Sequence, residues 1–203
     1  MRVLFTFISL LLLKATFASP LLVEKRKDKD LTKMTLLGYR AVNKDIAEQY
    51  NERQTLVYQH NPNGNGNQLG DGVYLTRRLR DWKEDYTCAV FAKPGKFGSA
   101  KVKKLWLDHD ERESPVREQT IKKVFGKDQE VSKVILVAGM WGGDHREKNV
   151  QMLIPPDFLA DPDPSKKDIG KLGIYVKCVP WDYSNRLPIR SDAKWHLMRI
   201  TGF

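Results

Sequence analysis

The chain has 203 residues, 41% hydrophobic and 30% charged, and 35 Lys and Arg against 25 Asp and Glu leave it a net charge of +10. Chains of roughly 100–200 residues usually close around one core, so this length excludes a peptide toxin and a multidomain machine. The positive balance excludes an acidic solvating protein, and the 10% aromatic content excludes a chain disordered throughout.

Residues 1–18 read as a secretory signal peptide. Arg2 supplies the positive start, Val3 to Leu13 the apolar run, and Thr16-Phe17-Ala18 the small residues before a cut after Ala18. Lys14 interrupts the run well short of the roughly 18 unbroken apolar residues a membrane anchor needs, and no later stretch is long enough to span a bilayer. Residues 19–26 read as a pro-segment, since Val23-Glu24-Lys25-Arg26 resembles the dibasic sites cut by kexin-type proteases of the fungal secretory pathway. Cleavage there leaves a single domain of residues 27–203. Its charge falls to +7 through loss of Arg2, Lys14, Lys25 and Arg26 against Glu24.

Within that domain a strand is predicted at Thr35 to Arg40. A helix follows, with Asn43 as N-cap and Ile46, Ala47 and Tyr50 on one face. His60 to Gly72 carries Asn-Gly pairs and glycines at 64, 66, 70 and 72, which predict a loop. Gly72 to Thr76 reads as a short strand, and Leu79, Trp82 and Tyr86 at i, i+3 and i+7 predict a helix after it. Strands are expected at Thr87 to Ala92 and Val102 to Leu107. Ser114-Pro115 opens another helix, with Val116, Thr120, Ile121, Val124 and Phe125 inward and Gly126 as its stop. Three further strands are expected at Val131 to Ala138, Asn149 to Ile154 and Leu172 to Val179. Short strands dominate, so the fold class is α+β, with a twisted, split, mainly antiparallel sheet and flanking helices.

Cys88 and Cys178 fall in two of these strands. In an oxidising compartment they are a disulfide candidate, worth roughly 3–5 kcal/mol in the chain-entropy model; the alternative is two buried thiols acting as small apolar groups. No Cys/His spacing suggests a metal site. His60, His109, His145 and His196 have no nucleophile at a telling distance, so a hydrolase triad is unsupported. The glycine-rich loop lacks Gly-Lys-Ser/Thr and leads into a strand before any helix, which excludes a Walker or Rossmann phosphate cradle. Lys101, Lys103, Lys104, Lys122, Lys123, Lys166 and Lys167 form scattered pairs with no aromatic interleaving, and read as a solvated face without a nucleic-acid motif.

A constellation remains on three strands. It comprises Gly38-Tyr39-Arg40, then Gly70-Asp71-Gly72-Val73-Tyr74-Leu75-Thr76 with Tyr86 after it, and finally Gln151-Met152-Leu153-Ile154-Pro155-Pro156. In these residues the chain resembles the ADP-ribosyltransferase superfamily, whose members bind NAD in a cleft of a split sheet. It is most similar to small secreted fungal and toxin-like members. The resemblance implies that Arg40 contacts NAD ribose or phosphate, which its guanidinium fork suits. It implies that Gly72, Tyr74 and Thr76 line the cofactor cleft, and that Tyr74 and Tyr86 stack on the nicotinamide, whose cationic ring their faces attract.

In arginine-modifying relatives a glutamate stands directly before a Val-Leu-Ile-Pro-Pro-like run and stabilises an oxocarbenium-like transition state. This chain has Gln151 there, with Asn149 two residues before it. An amide can hold ribose but offers no negative charge to the developing cation. A rival placement is Glu130 in Asp128-Gln129-Glu130-Val131-Ser132, which resembles the acidic-x-Glu-Val-Ser stretch of enterotoxin-like transferases. The resemblance therefore implies a secreted, monomeric effector or toxin that uses NAD as co-substrate and transfers ADP-ribose to a host protein or other macromolecule, with entry into host cells left open. The alternatives are an inactive effector that keeps the scaffold to bind a host protein, and a basic secreted ribonuclease. The last is weakened because no His pair or His/Glu pair can be assigned to phosphodiester transfer.

Overall fold

Thr35–Val42 is mostly apolar or β-branched, and a bulge at Leu37 places Leu37 and Tyr39 on opposite faces of the strand. In the computed structural model, which describes residues 30–59, 67–140, 149–163, 165–166 and 168–203, this is strand β1. The expected signal peptide, the pro-segment with Lys25-Arg26, His60 to Gly66, His145 and Lys167 lie outside the described residues. The other elements, in chain order, are α1 (Lys44–Arg53), β2 (Val73–Thr76), β3 (Tyr86–Ala92), α2 (Pro94–Phe97), β4 (Lys103–Leu107), α3 (Val116–Phe125), β5 (Val134–Gly139), β6 (Val150–Ile154) and β7 (Tyr175–Pro180). The strands form one seven-stranded sheet in the order β4-β5-β6-β2-β1-β3-β7, antiparallel except for the β4–β5 pair. The class is thus α+β with a mainly antiparallel sheet, as the short strands predict.

The α1 start follows its sequence signal. Asn43 accepts from the Ile46 amide at 3.0 Å, and Ala47 and Tyr50 turn into the core. Other elements differ from expectation. Residues 77–85 form bends and turns rather than a helix, and Tyr86 is the first residue of β3. Local and distant hydrogen bonds compete with helix formation there: Asp81 accepts from the Arg78 amide, the Arg77 carbonyl accepts from Ala193, and Arg80 adopts φ of 72°. Residues Val131–Lys133 form a 3-10 turn, so the strand expected from Val131 starts at Val134. On α3 the buried stripe is narrower than expected. Ile121 is buried and Phe125 partly so, whereas Val116 and Val124 are each 42% exposed.

Strand alternation sorts the core. One face carries a large cluster around Leu37, Val73, Leu75, Cys88, Val90, Met152 and Trp195, beneath α1 and the C-terminal segment. The other face carries two separate clusters. One gathers Leu69, Tyr74, Leu136 and Leu153 under Ile121 of α3, and the other gathers Tyr39, Phe91, Tyr175 and Leu187. Both sheet edges are occupied. Asn51 of α1 brackets Cys178 of β7 through its amide and carbonyl, at 2.8 and 3.0 Å. At the far edge Thr201 exchanges backbone hydrogen bonds with Lys104 and Trp106 of β4. These contacts occupy edge groups of both outer strands that would otherwise be open to another chain. Cys88 and Cys178 face each other across β3 and β7 and form a disulfide.

Candidate functional site

The sheet narrows at its centre. β1 pairs with β3 along its length, but with β2 only at Tyr39↔Thr76. On one side of this single pair the backbones of Gly38 and Thr76 are pressed together, since a Cβ on Gly38 would lie 2.4 Å from the Thr76 carbonyl oxygen. Nearby, the Trp195 indole donates to the Leu37 carbonyl at 2.6 Å, and Ala193 donates to Arg77. On the other side Arg40 extends its Nη1 to the Tyr74 carbonyl at 3.1 Å. The β1–β2 seam is therefore closed by side chains and an inserted C-terminal segment rather than by a continued ladder.

The expected site residues can be placed against this seam. Arg40, Tyr74, Thr76 and Gln151 lie on three consecutive strands, β1, β2 and β6. Thr76 and Gln151 are directly opposite each other, 3% and 2% exposed, where the two clusters of the second face approach the seam. The Thr76 hydroxyl lies 3.0 Å from the Arg78 carbonyl and 3.4 Å from that of Tyr39. Gln151 donates from Nε2 to Gln68 Oε1 at 2.9 Å. Arg40 pairs with Cys88, so its side chain starts from the opposite face and reaches Tyr74 through the backbone gap, with its Nε buried and unpartnered among the described residues.

Tyr74 is fixed by its hydroxyl, which accepts from the Leu69 amide and donates to the Gly70 carbonyl, both at 2.8 Å. Burial is the main cause that pushes this phenol up to about 12, against the lowering effect of those backbone partners and of the Arg117 charge. Gly72 is pressed on Ile154, whose carbonyl oxygen would lie 2.4 Å from an added Cβ. The glycine-rich segment, where it is described, thus lies down on the sheet through Gln68, Leu69 and Gly70.

The two tyrosines expected to sandwich a ring are not brought together. Tyr74 packs with Leu69 and Leu153, whereas Tyr86 pairs with Val42 and packs on the opposite face against the large cluster. Glu130 is also remote from this group. It precedes β5, exposed and ion-paired with Lys133, while Gln151 pairs with Ala138 near the other end of that strand. The four steps from Val134 to Ala138 alone span about 13 Å. Of the two placements for the third position, only Gln151 adjoins Thr76.

The periodicity of the chain gives no sign of Gln68, Arg117 or Trp195, which act at this site through contacts far apart in sequence. Among the described residues no group of His, Cys, Asp and Glu is arranged to hold a metal ion. No helix among them is long and apolar enough to cross a membrane.

A family model described as "Family of unknown function (DUF5910)" matches residues 67–202. No curated protein and no solved structure matches the chain.

Proposed function

The chain belongs to the DUF5910 family, which brings no activity with it, and we propose that it is a secreted effector on an ADP-ribosyltransferase-like scaffold that acts by binding a host macromolecule, not by transferring ADP-ribose. One observation carries this reading. The position where the resemblance calls for a catalytic glutamate is Gln151, which is 2% exposed and has its amide engaged by Gln68. A neutral, already bonded amide supplies no charge to an oxocarbenium-like centre, and that electrostatic contribution is usually the largest in such a reaction. The separation of Tyr74 from Tyr86 points the same way, because a nicotinamide between them would require the sheet itself to be removed. The Cys88–Cys178 bridge supports an oxidising compartment, and so agrees with export.

Transfer of ADP-ribose from NAD is the second reading. What favours it is the order of Arg40, Tyr74 and Gln151 on three adjacent strands, which is the order the resemblance requires.

Nicotinamide release from NAD by the purified protein, with and without candidate host acceptors, separates the two. The binding reading expects no release above the buffer rate. Release that persists in the wild type and disappears in Gln151→Ala, with the variant still folded, would replace it with the transferase reading. Calorimetry with NAD then asks whether the cofactor cleft survives. Binding abolished by Arg40→Ala would assign Arg40 to the cofactor rather than to bracing the seam.

A further inference from the structure

At the end of the sheet away from Gln151, a cavity of about 410 Å³ opens beside α2. Lys96, Lys101, Lys133 and Lys171 line it, with Val102 and Phe158 as apolar surface. The lysines come from four separate pieces of chain: α2, the turn before β4, the 3-10 turn before β5, and the turn before β7. Lys133 is paired with Glu130. Lys96, Lys101 and Lys171 have no carboxylate partner among the described residues. With Lys133 offset by Glu130 and by the nearby Asp157 charge, three exposed ammonium groups remain around the cavity, and an anion among them would be attracted by all three.

Two features make this more than a solvated lysine face. The stems of Lys93 and Lys96 lie over Gly173, whose added Cβ would be 3.1 and 3.2 Å from their Cδ atoms, so their ammonium groups project from a defined base. Behind the cavity wall Lys104 is only 5% exposed. Its ammonium donates to the Phe97 and Val102 carbonyls at 3.0 and 3.1 Å and lies over the Phe97 ring, with no carboxylate against it among the described residues. Burial, and then the nearby Arg199 charge, hold its proton affinity below the ordinary lysine range. Held by carbonyl groups and an aromatic ring, Lys104 brings no carboxylate to the Val102 side of the cavity to offset the three unpaired lysines.

We propose that this cavity binds a compact polyanion carrying several phosphate or sulfate groups, either free or as the headgroup of a lipid. The three unpaired ammonium groups engage the anionic groups. The Val102 and Phe158 surface takes the carbon frame between them. The site lies away from the β1–β2 seam and does not depend on the scaffold reading proposed above.

The test is calorimetric titration of the full chain with inositol hexakisphosphate, alongside flotation with phosphatidylcholine vesicles containing or lacking phosphatidylinositol 4,5-bisphosphate. Saturable one-to-one binding is expected, and Lys96→Gln/Lys101→Gln/Lys171→Gln should weaken it by about tenfold or more. The charge-matched control Lys122→Gln/Lys123→Gln/Lys127→Gln, on and just after α3, should stay within about twofold of wild type. Circular dichroism must show both variants folded; if the cavity triple fails to fold, the single variant Lys101→Gln, on an exposed turn, takes its place with an expected loss of about threefold. Binding to hexakisphosphate alone identifies a free ligand, and added binding to the phosphoinositide vesicles identifies a headgroup. Absence of binding to either, or equal weakening by the control, would overturn the proposal, the latter because net charge would then be the whole effect.

Discussion

Gln151 and Gln68 hydrogen-bond amide to amide at 2.9 Å, and this contact ties the glycine-rich segment to the centre of the sheet. Both residues are neutral, and Gln151 has almost no contact with solvent. Removing Gln68 leaves the buried Gln151 amide unmatched, which costs more than the bond contributes, whereas removing Gln151 leaves the half-buried Gln68 amide within reach of water. Gln68→Ala is therefore expected to lower the unfolding free energy by about 1–3 kcal/mol, and a cycle with Gln151→Ala should show a coupling of about 0.5–1.5 kcal/mol. Urea unfolding of the four proteins measures both. Strict additivity would mean that Gln151 is not held by Gln68 and is open to a ligand after all.

The Tyr74 hydroxyl performs a similar task through backbone groups. Tyr74→Phe leaves the Leu69 amide and the Gly70 carbonyl without their partner at the price of one oxygen atom, with an expected loss of about 1–3 kcal/mol. Amide exchange at Leu69 should accelerate more than at Leu136, which the hydroxyl does not touch. Equal acceleration at the two would mean global unfolding only, without a local role for the hydroxyl.

Alkaline behaviour follows from the same burial. Tyr39 and Tyr74 are both pushed up to about 12, chiefly by desolvation, with the Asp192 charge a further cause at Tyr39. The folded state therefore favours the neutral phenols. That contribution is complete below about pH 10, where the unfolded chain is also neutral, and is lost as pH rises from about 10 towards about 12. These two should ionise late in the native protein, and Tyr58 is also raised, by burial and then by the Asp71 charge. Phenolate absorbance in Tyr74→Phe should lose amplitude from the late phase; loss only from the early phase would contradict the assigned burial.

The disulfide joins residues 90 apart, and the chain-entropy model assigns a loop of that size about 4–5 kcal/mol. The β3–β7 ladder and the Asn51 bracket remain in its absence, so Cys88→Ala/Cys178→Ala should fold but unfold at lower denaturant. The expected loss is about 3–4 kcal/mol, read from equilibrium urea curves. A loss below about 1 kcal/mol would show that the reduced unfolded chain is already constrained.

Local signals in the sequence were legible. Asn43 caps α1 because its side chain needs only the amide three residues on, and the largely apolar run Val150–Ile154 is a strand buried on both faces. The stretch 77–86 misleads because Leu79, Trp82 and Tyr86 have helical spacing, while the groups that decide its path are Ala193, Asp192 and Ser184, all more than a hundred residues away. The same limit applies at the site. Arg40, Tyr74 and Gln151 are legible as an ordered set, but alternation and register alone decide that Tyr86 belongs to the other face, and those depend on the bulge at Leu37. Gln68 and Trp195 carry no periodic signal because their contacts lie 83 and 158 residues away.

Gly38 tests the seam most directly. It has φ of +153° next to the bulge, and an alanine Cβ would lie 2.4 Å from the Thr76 carbonyl oxygen, a distance that real contacts do not tolerate. Relief requires β1 to move from β2 where Tyr39↔Thr76 is their one paired position. Gly38→Ala should therefore cost about 2–4 kcal/mol, combining backbone strain with loss of close packing. Gly95→Ala is the control, since its added Cβ meets nothing within 4 Å, and it should stay within about 0.5 kcal/mol of wild type. The losses should also differ in place: in Gly38→Ala, exchange protection should fall at Arg40 and Thr76 before it falls at Ile135 in the β5 core. Uniform loss along all seven strands would mean that the seam has no independent mechanical identity, and that the sheet yields as one unit.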